Sequence, residues 1–237
     1  MRVLGRASSQ SFVNLDFESA SVPAWGTPQT IPFAQALPGW TQTISEPLST
    51  NVLYNNTYLD SAGICLIDTN ASPFIGEVID GRYTVLLESG LGYSTNVSDT
   101  TLSQTGLVPS GTKSIQFKAA SSGKFVVSIG GQALPLAILG GGSNYTLYGA
   151  DVSQWAGQTQ QLSFTIFGDR PHVNDESLLL DDIQFTSQSV AVAPPFILSA
   201  LESSQSVGLG ATWAKVGTQN PTNLPVASGA RFFRVVP

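Results

Sequence analysis

Residues 112–119 read TKSIQFKA, with Ile115, Phe117 and Ala119 alternating against Ser114, Gln116 and Lys118. Strict alternation sends one set to each side of an extended chain, so the segment reads as a β-strand with one apolar face. The same period recurs in both directions. QLSFTIF at 161–167 sets Leu162, Phe164 and Ile166 on one face, and RYTVLLES (82–89) and GKFVVSIG (123–130) are similarly strand-like. Turn-forming clusters separate them: VPSGT (108–112), SSGK (121–124), IGGQ (129–132) and LGGGSN (139–144). Helix signals are confined to PFIGEVID (73–80) and DVSQWAGQ (151–158), where Asp151 is placed to cap a turn by accepting amides two or three residues on.

Composition agrees with an all-β chain. Of 237 residues, 42% are hydrophobic and only 11% charged; 23 Gly and 14 Pro supply turns. Low charge with recurrent apolar runs is neither a disorder signature nor a helix-rich composition. The net charge is −6 and the ten basic residues are scattered, so there is no footprint for nucleic acid or an anionic membrane surface. No apolar run reaches the ~18 residues of a membrane-spanning helix, so no membrane insertion is expected. The start, MRVLGRASSQS, lacks the apolar core of a complete signal peptide. The single cysteine, Cys65 in AGICLIDT, excludes an intrachain disulfide and is expected to pack as a small hydrophobe.

LLLDDIQF at 178–185 places two aspartates in a strand-like run. Strict alternation gives Asp181 the same face as Leu179, Ile183 and Phe185, an apolar row. An unpaired buried carboxylate costs several kcal/mol, so a cation or a set of hydrogen-bond donors must meet it. Near residue 190 the texture changes. SQSVAVAPPFI reads as a linker, and FILSALESS, ATWAKVG and ARFFRVV beyond it as three strand-like pieces. The organisation expected is a flexible segment at 1–10, a two-sheet antiparallel sandwich over 11–188, a linker at 189–195 and a small three-strand β appendage at 196–237. Such an appendage is too short for a core of its own, and docking on the main domain or self-association through residues 196–237 would bury its apolar face.

The order FVNLDFESA, LPGWT, QTGLVPSGTKSIQFKA, GKFVVSIGGQALPL, YTLYGADVSQWAGQTQQLSFTIFG and LLLDDIQF resembles the galactose-binding-like jelly roll of carbohydrate-binding modules. It is similar, more narrowly, to secreted proteins of environmental bacteria that end in a Pro-Glu-Pro sorting tail, although SVAVAPPF stands where that tail would be. The resemblance implies an extracellular or cell-surface location, a polysaccharide or other glycan as partner, and a structural Ca²⁺ shared by the first and last strands. The matching positions here are Glu18 in NLDFES and Asp181 or Asp182. The competing reading is that Asp181 only accepts hydrogen bonds from amides or a hydroxyl. Asn14 and Asp16 are weaker candidates, because alternation places them opposite the inward Phe17.

A sugar site needs an aromatic platform beside polar groups. Trp40 and Trp155 match core positions of the resembled fold. Trp25 in a Pro/Gly-rich loop, and Tyr54 and Tyr58 among the asparagines of LYNNTYLD, are the ligand-binding candidates. Catalysis has little support: the only histidine, His172, lies in a polar stretch, and no G-x-S-x-G elbow occurs. A glycoside hydrolase using paired carboxylates is the enzymatic alternative. The expectation is therefore a non-catalytic carbohydrate-binding module, with a structural surface, matrix or filament-forming protein assembling through its C-terminal strands as the competing class.

Overall fold

The computed structural model describes residues 10–22, 30–44, 50–56, 62–70, 77–91, 97–168 and 176–190, together with the backbone course of 200–204, 214–217 and 232–236. The chain divides into two compact units, Met1–Ala191 and Val192–Pro237. In the first unit the described strands are β1 (Thr30–Pro32), β2 (Thr41–Ile44), β3 (Asn51–Tyr54), β4 (Gly63–Asp68), β5 (Tyr83–Leu91), β6 (Val97–Ser98) and β7 (Thr100–Leu107). They continue with β8 (Ser114–Ser121), β9 (Phe125–Ile129), β10 (Gln132–Ala133), β11 (Ala137–Gly141), β12 (Thr146–Asp151), β13 (Thr159–Ile166) and β14 (Glu176–Thr186).

These strands form two sheets. One has the order β1-β3-β4-β5-β14-β8-β12-β11, with β6 also on β5; the other runs β10-β9-β13-β7-β2. Pairing between strands is antiparallel except for β3 with β4. The architecture is thus a two-sheet β-sandwich. Its interior follows the alternation read from sequence: Ile115, Phe117 and Ala119 of β8 and Leu162, Phe164 and Ile166 of β13 are all fully buried. Phe117 and Phe164 meet edge-on across the two sheets, ring centroids 5.3 Å apart, a geometry that suits the ring quadrupoles. Trp40 and Trp155 are buried in the same core, and Trp40 Nε1 donates to the Asn14 carbonyl at 2.9 Å.

A second apolar cluster lies apart from the first. In β4, Ile64 and Leu66 join the main core, while Cys65 and Ile67 pack with Val78 and Leu86. A strand buried on both faces shows no alternation, which is why GICLID reads as a continuous apolar run. Burial pushes the Cys65 thiol up to about 12, so it stays protonated and inert.

Three local features depart from the sequence reading. Residues 12–20 form no first strand but an irregular segment with turns over 15–19 and positive φ at Asn14 (52°) and Phe17 (58°). The segment still reaches the last strand, since the Ile183 amide donates to the Leu15 carbonyl at 3.0 Å. A single helical turn, α1 (Phe33–Ala36), follows Pro32, a residue tolerated where a helix starts because no amide bond is lost there. The third departure is in β14, where pairing with β8 shifts between Asp181 and Gln184. Asp182 has φ 45°, and the bulge it forms reverses the alternation. Asp181 therefore shares a face with Leu179, which packs on the second cluster, whereas Ile183 and Phe185 turn to the main core. The single row of Leu179, Asp181, Ile183 and Phe185 expected from strict alternation is split by the bulge.

In the second unit, β15 (Ala200–Ser204) lies between β16 (Ala214–Gly217) and β17 (Phe232–Val236) in a three-stranded antiparallel sheet.

Candidate functional site

The bulge in β14 builds an acidic cavity. Asp181 is buried, and its Oδ2 accepts from the Asp80 amide at 3.1 Å and the Thr84 hydroxyl at 2.5 Å, while Oδ1 accepts from the Asp182 amide at 2.7 Å. Glu18 reaches in from the N-terminal turns, its Oε1 accepting from the amides of Arg82 at 2.7 Å and Tyr83 at 2.9 Å. Gly81, at φ 57°, lies beneath that carboxylate, and a Cβ there would collide with Glu18 Oε1. Asp16, Glu18, Asp80, Gly81, Asp181 and Asp182 together line a cavity of about 250 Å³. The structure thus brings together the three residues named as candidate Ca²⁺ ligands. It adds Asp16, which alternation had set aside; the turns of 15–19 make alternation inapplicable there. It also adds Asp80, which nothing in the local sequence marks.

Burial raises the Asp181 carboxyl to about 7 against the three hydrogen bonds that favour its charged form. Nearby positive charge comes from Lys118, whose ammonium reaches Asp182 Oδ2 at 2.9 Å and also pairs with Asp80. Burial opposes the charge on Lys118, but its bonds to these two carboxylates outweigh that and hold its pKa above the ordinary lysine range. An all-oxygen donor set rich in carboxylate fits a hard cation such as Ca²⁺. The present spacing fits an ammonium: among the described residues no three His, Cys, Asp or Glu side chains stand where they could share one metal ion.

A larger cavity, about 670 Å³, opens at the strand ends, lined by Asp99, Ser122, Gly123, Lys124, Phe167, Gly168 and Glu176. Phe167 follows β13 directly and is 39% exposed. Phe167 is not among the ligand-binding candidates read from the sequence; with Leu162, Phe164 and Ile166 inward, alternation, which turns the next residue outward, is the signal that could have found it. Two ties position the site. The Ser89 hydroxyl donates to the carbonyls of Phe167 at 3.0 Å and Glu176 at 3.2 Å, and the Phe167 amide donates to the Lys124 carbonyl at 3.1 Å. Asp99 Oδ1 accepts from the Gly168 amide at 3.1 Å, and Glu176 Oε2 from the Ser122 hydroxyl at 3.3 Å. The result is an exposed ring beside two carboxylates, an ammonium and a hydroxyl.

The aromatic candidates fall elsewhere. Tyr54 is half-buried against the main core and its hydroxyl donates to Asp68 Oδ2 at 2.7 Å. Burial and the Asp68 carboxylate push the Tyr54 hydroxyl up to about 12. Asp68 is fully buried and also accepts from Arg82 Nε at 3.1 Å and Nη2 at 2.9 Å. The Tyr54 hydroxyl is thus part of an internal polar network. Trp25, Tyr58 and His172 lie outside the described residues.

Sandwich and cavities define the chain as a two-sheet β-sandwich with a polar, aromatic-bearing cavity at its strand ends. No protein-family model matches the sequence, and no curated protein matches it. Among solved structures it is similar to TmCBM61 in complex with β-1,4-galactotriose, at 13% identity and a TM-score of 0.43, over 76% of this chain and 100% of that one. It is also similar to the K2 cleaved adhesin domain of Lys-gingipain, at 19% identity and a TM-score of 0.38, over 66% of this chain and 98% of that one. A third likeness, to an α-L-rhamnosidase from Dictyoglumus thermophilum, has 14% identity and a TM-score of 0.24, and spans 53% of this chain but 14% of the enzyme.

Proposed function

We propose that the sandwich is a non-catalytic, extracellular carbohydrate-binding module that holds its ligand in the cavity beside Phe167. The observation that carries this reading is an exposed aromatic ring surrounded by groups that suit hydroxyls. A sugar has an apolar C–H face for the ring, and each hydroxyl donates to a carboxylate while accepting from an ammonium or another hydroxyl. Asp99 and Glu176 supply acceptors, Lys124 a donor, and Ser122 both. A glycan array probed with the intact chain tests this. Binding of a defined set of glycans, lost on Phe167→Ala with the melting temperature unchanged, supports it. No retained glycan, or binding indifferent to Phe167→Ala, rejects it. Release of reducing ends during the same incubations would instead make the protein a glycoside hydrolase.

The acidic cavity belongs to the same proposal as a structural Ca²⁺ site, for which Glu18, Asp181 and Asp182, with Asp16 and Asp80, would have to draw closer than they stand here and release the Lys118 ammonium. The convergence of five carboxylates on one cavity supports it, and a bound cation would offset the burial that disfavours the charged form of Asp181. Calcium here would clasp the N-terminal turns to β14 and leave the sugar cavity to the strand ends.

A further inference from the structure

Resting on the carbohydrate reading of the Phe167 cavity, we propose that this site selects neutral sugars over uronates and that Glu176 sets the choice. The described lining carries two carboxylates, Asp99 and Glu176, against one cation, Lys124.

Glu176 is held where a ligand on the ring would meet it. Its main chain is tied to that of Phe167 through the single Ser89 hydroxyl, and Ser89 is fully buried. Next to it, the Ser177 amide donates to the Ser122 hydroxyl at 2.9 Å and the Ser122 amide to the Ser177 carbonyl at 3.0 Å, locking the start of β14 onto the β8–β9 turn. The carboxylate then lies over Gly123, where a Cβ would collide with its Oε2. Glycine at 123 is what gives the carboxylate this seat. Its hydrogen bond within the protein comes from Ser122 at 3.3 Å, so acceptor capacity remains for sugar hydroxyls. A uronate offers that carboxylate no proton at C6, and it brings a like charge into a partly desolvated cavity.

Calorimetric titration of the intact chain with β-1,4-linked gluco- and galacto-oligosaccharides, each neutral and oxidised at C6 to the uronate, tests the inference. The two forms differ only in the carboxylate. The neutral form should bind at least about tenfold more tightly, and the gap should narrow with added salt. Glu176→Gln should bring the two forms within about threefold by admitting the uronate. Gly123→Ala, with melting checked, should shift the ratio the same way while leaving the glutamate's charge in the protein. Equal binding of both forms by the unaltered chain, or a preference that survives Glu176→Gln, overturns the inference and leaves the carbohydrate reading standing. Binding of neither form of either sugar counts against both.

Discussion

Lys118 of β8 stands directly opposite Asp181 of β14 in the strand register, yet its ammonium goes to Asp182 and Asp80. The bulge at Asp182 makes this possible by bringing a second carboxylate onto the same outer face. Asp181 is left to amide and hydroxyl donors, and the lysine draws together the rim of the acidic cavity.

Replacing this lysine should expose the cavity's appetite for cations. Lys118→Met leaves Asp80 and Asp182 without their partner and should destabilise the sandwich by about 1–2 kcal/mol in chelator. Millimolar Ca²⁺ should then raise the melting temperature of the variant more than that of the unaltered protein. Equal or smaller stabilisation of the variant would mean that ammonium and Ca²⁺ do not share this place.

Chelation tests the calcium clasp directly. A ligand bound to the folded state alone stabilises it by about 2.7 kcal/mol at a hundred times its dissociation constant, so excess chelator should lower the melting temperature. Asp181→Ala, which strands the Asp80 and Asp182 amides and the Thr84 hydroxyl, should cost about 2–4 kcal/mol even in chelator. Asp182→Ala should cost about 1 kcal/mol, from a positive φ and a part-exposed ion pair. Similar losses in the two variants, measured by urea unfolding, would contradict the burial of Asp181.

The pH dependence has a definite sign. With a folded value near 7 against an ordinary 3.8, Asp181 keeps its proton in the folded state where the unfolded chain has lost it. Its contribution is present in full below about pH 4, declines as pH rises toward 7, and is flat above. Asp68 behaves oppositely: burial would raise it, but Arg82, Tyr54 and the Asn70 amide outweigh that and lower it, so its contribution is lost as acid protonates it. In chelator the urea midpoint should be higher at pH 5 than at pH 7.5. Asp181→Asn should flatten that slope; a slope that persists would place the titrating group elsewhere.

The two sheets depend on the ring pair at their centre. Phe164→Ala removes a fully buried ring that meets both Phe117 and Trp40 and should cost about 3–5 kcal/mol. Phe167→Ala, three residues on and 39% exposed, should cost less than about 1 kcal/mol. Comparable losses from the two would mean that Phe167 is part of the core and not a ligand platform.

The sequence by itself determined the strands and their inward faces. Ile115, Phe117, Ala119, Leu162, Phe164 and Ile166 are buried where their period of two puts them, because the side-chain direction along a strand is a local property of the backbone. It also singled out the aspartate pair, by its place in an apolar run, whereas Glu18 was named only through the resemblance to carbohydrate-binding modules. The tertiary structure decided what those residues meet. Asp80 and Lys118 are 38 residues apart, Asp80 and Asp181 are 101 apart, and only sheet pairing makes them neighbours. The turn at Phe17 and the bulge at Asp182 break the alternation that sequence reading relies on, and no neighbouring residue announces either one. The Phe167 cavity likewise collects residues from the β8–β9 turn, the two positions after β13, the first residue of β14 and the residue between β6 and β7, so its chemistry arises from strand ends that long-range pairing alone places side by side.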